Sequence, residues 1–156
     1  KRFDLLLAAQ AFHWIETKVG LARATKFLHD AGTLALVWTL DESQTAFQKE
    51  STPLYDKYIP PQPNRPTPDE GHERYKRALK ESSAFGEVAV REVKWSQRYS
   101  KEDYLKLQNT YSNHLVVSVE TRATFHQELS KVIDSHGGSV VRLYKTVLLL
   151  AKCLLT

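Results

Sequence analysis

The sequence predicts an α/β protein with parallel strands, and three observations lead there. Two short, nearly unbroken apolar runs, Phe3–Ala9 (FDLLLAA) and Thr33–Leu40 (TLALVWTL), read as strands covered on both faces. Between them, from Thr17 to Asp30, Val19, Leu21, Ala22, Ala24, Phe27 and Leu28 recur at helical spacing. The 156 residues are 42% hydrophobic and 26% charged, enough apolar material for one globular domain and too much for global disorder.

Strand, helix, strand at this spacing is a βαβ unit, with a right-handed crossover and parallel strands. Thr17 is placed to cap the helix start, and Gly32 to take a left-handed conformation just past its end. All six prolines fall between Pro53 and Pro68. Fixed φ and missing N–H donors exclude regular structure there, which predicts a lid or connector and, with the helix after it, a subregion over 43–83. Pro60, Pro63 and Pro66 also fit a PxxP spacing, a weak pattern. The spacing predicts a charged helix over Asp69–Ser82, with Tyr75, Ala78 and Leu79 turned inward and Arg74, Lys76, Arg77 and Lys80 in solvent. Glu87–Trp95 alternates as a strand with an exposed or edge-facing stretch, Val88 and Val90 inside. Ser100, with Asp103 three residues on, opens a helix to about Thr110. A further helix runs over Ser118–Ser135, closed by His136-Gly137-Gly138, and Val140–Cys153 is a final strand.

Charge and composition narrow the function. Lys and Arg total 22 against 18 for Asp and Glu, a net +4, too mild to mark a nucleic-acid binder. The single cysteine excludes an internal disulfide framework and any multi-cysteine zinc site. No apolar run approaches the roughly 20 residues of a membrane helix. No signal-peptide pattern opens the chain, and a cytoplasmic protein is expected. Because Phe3 already reads as the inside of a strand, a piece of something longer is also expected. There is no P-loop, no G-x-G-x-x-G after a strand, no G-x-S-x-G elbow, and no histidine set with metal-ligand spacing.

In open α/β sheets, ligands bind beyond the carboxyl ends of parallel strands. The first strand ends in Ala9-Gln10-Ala11-Phe12-His13-Trp14, the second in Trp38-Thr39-Leu40-Asp41-Glu42. Ala8, Ala9 and Ala11 would let a ligand approach the backbone. Gln10 offers an amide, His13 a group that titrates near neutrality, and Trp14 a stacking plane. A packing role between strand and helix explains His13 and Trp14 equally well.

The segments FDLLLAAQAFHWIE and KFLHDAGTLALVW, then RYSKEDYLKLQNTYS, then SHGGSVVRLYKTVLLLAK, together resemble the second half of a class I S-adenosylmethionine-dependent methyltransferase of the type-11-like group. The resemblance spans most of the chain and is weakest from about Glu42 to Ser83. Two departures stand out. His29-Asp30-Ala31-Gly32 replaces the group's basic-Pro-Gly-Gly turn, and the first three strands, with the glycine-rich cofactor loop and the acidic residue that holds the ribose, do not occur.

The resemblance implies the C-terminal portion of a Rossmann-like methyltransferase sheet, strands four to seven with flanking helices. Its last strand would be antiparallel, inserted between the fifth and sixth. It implies S-adenosylmethionine as cofactor of the complete domain, Ala9 and Gln10 as cofactor contacts, and His13 as a candidate catalytic base. His13, Trp14, Tyr99 and Tyr111 would bind a small-molecule acceptor, with no metal and no membrane. The edge Phe3–Ala9 would then pair with the missing N-terminal half or with a second copy. Two alternatives carry no activity: a degenerate methyltransferase-like interaction module, and a small basic α/β domain binding an acidic partner through the Arg74–Lys80 helix.

Overall fold

The computed structural model describes residues 2–61 and 68–154. In chain order the elements are β1 (Phe3–Ala9), a 3₁₀ turn (Phe12–Trp14), α1 (Thr17–Phe27), β2 (Leu28–Asp41), α2 (Ala46–Tyr58) and α3 (Pro68–Glu81). There follow β3 (Phe85–Ser100), α4 (Lys101–Gln108), α5 (Ser112–Leu115), α6 (Val119–Ser135) and β4 (Ser139–Cys153). The four strands form one sheet in the order β1-β2-β4-β3. β1 and β2 are parallel, with Leu5 opposite Thr33 and Leu7 opposite Ala35, as the βαβ reading requires. β4, last in sequence, lies between β2 and β3. It runs opposite to β2: Thr39 Oγ1 meets Thr146 Oγ1 at 3.0 Å, and the Glu42 N–H donates to the Leu143 carbonyl at 2.9 Å. It also runs opposite to β3, since Leu154 N–H donates to the Ala84 carbonyl at 2.9 Å and Arg98 reaches Ser139 Oγ at 2.9 Å. The inserted antiparallel strand is therefore where the resemblance puts it.

Two compact units make up the chain. The first comprises Lys1–Asp41, Pro66–Lys94 and Lys145–Thr156; the second comprises Glu42–Arg65 and Trp95–Tyr144. The first unit's core gathers Leu34, Leu36 and Trp38 of β2, Val147, Leu149, Ala151 and Cys153 of β4, Phe85 and Val88 of β3, Leu21 and Ala24 of α1, and Tyr75 and Leu79 of α3. Tyr75 and Leu79 are inward as predicted, and Tyr75 stacks on Trp38 at 4.7 Å. β3 occupies a sheet edge, with Val88 buried and Arg91 to Arg98 exposed. In the second unit, α2 and α4 pack on α6 around Phe47, Ile59, Tyr104, Phe125, Leu129, Ile133 and Val140.

β1 is not covered on both faces as expected, since Phe3, Leu5 and Leu7 stand exposed, and three further corrections follow. Pro53 does not exclude regular structure: it lies inside α2. That helix is held at its start by a capping box between Thr45 and Gln48, and along its length by the burial of Phe47 and Ser51. Tertiary packing and the cap together offset the missing N–H and the ring's clash with the preceding turn. Second, the cap of α1 is Glu16 rather than Thr17: its carboxylate accepts from the Lys18 N–H at 3.0 Å and the Val19 N–H at 2.7 Å. Third, α1 ends at Phe27 and passes straight into β2, and the left-handed residue there is Ala31 (φ 58°), not Gly32. Gly32 is needed for a different reason, because a Cβ on it would sit 2.9 Å from the His29 carbonyl oxygen and 3.1 Å from that of Phe3. At the starts of α4 and α6, Ser100 caps as expected and Ser118 caps likewise, and Gly137 and Gly138 take positive φ after α6. Of the PxxP prolines, Pro63 and Pro66 lie outside the described residues.

Candidate active site

The carboxyl end of β1 places the first predicted group together. Gln10 follows the strand with φ 51°, a left-handed conformation uncommon for a side chain with a Cβ, and one that clusters at functional turns. Two hydrogen bonds hold it: its N–H donates to the Val37 carbonyl at 2.9 Å and its side-chain amide to the Thr39 carbonyl at 3.1 Å. The ends of β1 and β2 are thereby tied side by side. Phe12 is buried, edge-on to Tyr75 at 5.6 Å, and α1 approaches it so closely at Gly20 that an added Cβ would sit 2.8 Å from its ring. With Phe12 as the anchor, the 3₁₀ turn presents His13 and Trp14 outward, their rings 5.0 Å apart. Trp14 is 76% exposed. Its exposure removes the packing explanation for that residue. Partial burial, and then the nearby Arg74 guanidinium, push the His13 pKa down, so its ring is neutral at neutral pH.

Tyr99 and Tyr111 lie in the second unit, where they belong to a polar cluster around Arg142. The Arg142 side chain is buried and donates through Nη1 to the Tyr111 hydroxyl. Its guanidinium carbon lies 5.3 Å from the Tyr144 ring centre and 5.9 Å from those of Tyr104 and Tyr111. The hydroxyls of Tyr99 and Tyr144 are 3.1 Å apart, and Trp95 stacks on Tyr144 at 4.5 Å. Behind them the Tyr55 hydroxyl donates to Gln108 Oε1 at 2.9 Å and lies 3.3 Å from that of Tyr104. Burial raises the pKa of both Tyr55 and Tyr144, so these phenols keep their protons throughout the neutral range. His114, also buried, packs its ring against Tyr111, Tyr55 and Phe125; burial, with the charges of His126 and Arg122, lowers its pKa to about 4.

Arg142 and His114 escaped the reading of the sequence. Arg142 sits in a strand that reads as structural, yet the period-2 pattern puts it on the inward face with Val140 and Tyr144, and an inward arginine is the signal that could have found it. The other chemistry-bearing groups lead away from a site. Cys153 is fully buried in the first core with its thiol pKa raised by burial, an inert arrangement. Among the described residues no cluster of three or more His, Cys, Asp or Glu could hold a metal ion, and no helix is long and apolar enough to cross a membrane.

Comparison with known proteins agrees with this geometry. No family model matches the chain. It is 24% identical over 134 residues to an uncharacterised methyltransferase of Schizosaccharomyces pombe, a match covering 85% of this chain and 50% of that protein. Among solved structures, a protein assigned as a type II methyltransferase from Anaeromyxobacter dehalogenans superposes with a TM-score of 0.65 at 16% identity, covering 99% of this chain and 66% of the other. The YcgJ protein of Bacillus subtilis does so with a TM-score of 0.50 at 12% identity, over 99% and 65%. The chain thus spans about half the length of the curated relative and about two thirds of these solved structures. Strand order, parallel pair and inserted last strand, with these superpositions, identify the fold as part of a Rossmann-like methyltransferase fold.

Proposed function

We propose that the chain forms the strand-four-to-seven part of an S-adenosylmethionine-dependent methyltransferase that acts on a small molecule. The observation that carries this reading is the sheet order β1-β2-β4-β3, which brings the carboxyl ends of the parallel pair together at the exposed Gln10–Trp14 segment. The residues there suit one wall of a sulfonium site. Ala9 is small and exposed, Gln10 is fixed by two hydrogen bonds, and Trp14 offers a free aromatic face. The bound donor would supply an already activated methyl group, so the protein's task is chiefly alignment and exclusion of water. Trp14 and the backbone of Ala9 and Gln10 would position the donor, and Tyr99 and Tyr111, in the second unit, are kept as candidate acceptor contacts. His13, neutral at neutral pH, would accept a proton from an acceptor that must lose one.

The glycine-rich loop and ribose-binding acid must then come from another segment or another copy. β1 is at the sheet edge, and Phe3, Leu5 and Leu7 stand exposed at alternate positions on one face. An outer strand with three exposed apolar side chains suits a partner that adds strands and covers that face. A cytoplasmic setting fits the single, buried cysteine. Calorimetric titration with S-adenosylhomocysteine, run beside sedimentation, tests the proposal. Binding is expected where β1 is paired, weakened about tenfold by Trp14→Ala. Failure to bind in a species with β1 paired would leave the interaction-module reading in its place.

A further inference from the structure

We propose that the connection 109–118, which joins α4 to α6 and contains α5, is an acid-released strap: protonation of His114 frees it from the second core while the rest of that core stays folded.

Little apolar surface holds the connection inward. Among its residues only His114 is buried. Leu115 and Val116 are 59% and 75% exposed, and Val117 packs on the core from a half-buried position. Polar ties add to these: Asn113 Nδ2 donates to the Pro60 carbonyl at 3.3 Å, and the Tyr111 hydroxyl accepts from Arg142. Segments with so few buried contacts open at lower cost than the core they are tied to. α6 is pinned more firmly, since Phe125, Leu129 and Ile133 are fully buried.

The seat of His114 accepts only a neutral ring. Around it stand Tyr55 of α2, Tyr111 of the connection and Phe125 of α6, with ring centres 6.0, 5.7 and 5.3 Å away. The charges that act on it come from His126 and Arg122 of α6, and no carboxylate is among them. An imidazolium donates from both ring nitrogens. Yet Nδ1 of His114 is buried without a hydrogen-bond partner among the described residues, and Nε2 of His126 is in the same condition. A proton added in acid therefore leaves a buried N–H unmet and sets a second positive charge near Arg122, with a third arriving on His126. Movement of His114 into water relieves all three costs, and the connection that it anchors goes with it.

The size of the bias follows from linkage. With a pKa of about 4 in the closed form against 6.5 once released, the ratio of open to closed rises about twenty-fold between about pH 7 and about pH 5. Opening breaks the donation of the His114 N–H to the Tyr111 carbonyl at 3.0 Å and takes the Tyr111 hydroxyl from Arg142. The release itself is independent of the methyltransferase reading; only its use, the withdrawal of Tyr111 from an acceptor in acid, rests on it.

Amide hydrogen exchange, followed residue by residue by NMR in low urea, tests the release without recourse to activity. The His114 amide is expected to exchange through an opening insensitive to urea and about ten-fold or more as frequent as the one that exposes β4. Its protection, corrected for the intrinsic rate, should fall about twenty-fold between about pH 7 and about pH 5. In His114→Leu the fall should shrink to within about three-fold, the remainder coming from His126. If that variant does not fold, the wild-type profile carries the test, because the fall must begin near pH 6.5 and level off near about pH 4. Protection equal to that of β4 at every pH would show that the connection opens only with the whole chain, and would overturn the strap. A fall unchanged in His114→Leu, or a wild-type profile that stays flat across this range, would overturn His114 as its trigger.

Discussion

His114 makes acid stability of the second unit a quantitative test of how its core is built. The imidazole is 2% exposed, among the rings of Tyr55, Tyr111 and Phe125. Its pKa falls from 6.5 to about 4, first through burial and then through the charges of His126 and Arg122. The sign follows directly. Between those two values the unfolded chain binds a proton at this position and the folded chain does not, so stability drops as pH falls through the window. From the two pKa values, the loss between about pH 7 and about pH 5 is roughly 2 kcal/mol, and it approaches roughly 3 kcal/mol near pH 4. His13 and His126, whose pKa values are also lowered, add to the slope in the same direction. Comparison with His114→Leu, of similar volume but without the titration, isolates the one contribution. Urea unfolding at several pH values should show the wild type losing about 2 kcal/mol more than the variant over that span. Parallel pH profiles for the two proteins would refute the buried, neutral state of His114 and the arrangement of rings that enforces it.

Other perturbations reach other parts of the molecule. Gly32→Ala should cost about 1–3 kcal/mol in denaturant unfolding, because the added Cβ meets two backbone carbonyls that cannot rotate away. Pro53→Ala restores an N–H inside α2 and should stabilise by roughly 1–2 kcal/mol, the helix gain less the entropy returned to the unfolded chain, read as a higher Tm. Ser118→Ala removes the hydroxyl that accepts from the Thr121 N–H at 3.1 Å and should cost about 1 kcal/mol. Leu5→Lys with Leu7→Lys should abolish any concentration-dependent association seen by sedimentation while leaving the far-ultraviolet spectrum unchanged, since both side chains are exposed.

The legible parts of the fold are those where local pattern and tertiary packing agree. β2 is a continuous apolar run because Leu34, Leu36 and Trp38 are buried in the core, whereas β1 is as apolar with Phe3, Leu5 and Leu7 exposed; Ser100 and Ser118 stand at their helix starts because a cap is a purely local device. α2 is illegible for the opposite reason: its proline argues locally against a helix, while the burial of Phe47 that favours one depends on distant residues, and the local Thr45–Gln48 box marks only the helix start. The exposed Gln10–Trp14 segment could be read from its composition at a strand end. The Arg142 cluster could not, since Tyr99, Tyr104, Tyr111 and Tyr144 come from separate elements and only folding makes them neighbours of one guanidinium.

The placement of β4 has a consequence for synthesis on the ribosome. Val147, Leu149, Ala151 and Cys153 lie at the heart of the first core, yet they belong to the strand made after all the others. Until that strand emerges, β2 and β3 have no common neighbour, and Leu34, Leu36 and Trp38 lack part of the surface that buries them. The nascent βαβ unit must therefore wait, with its apolar strands unprotected, while more than a hundred residues follow Leu36. During that interval the exposed strands are prone to aggregate, and a translational stall anywhere between β2 and β4 should divert the chain to aggregation or degradation.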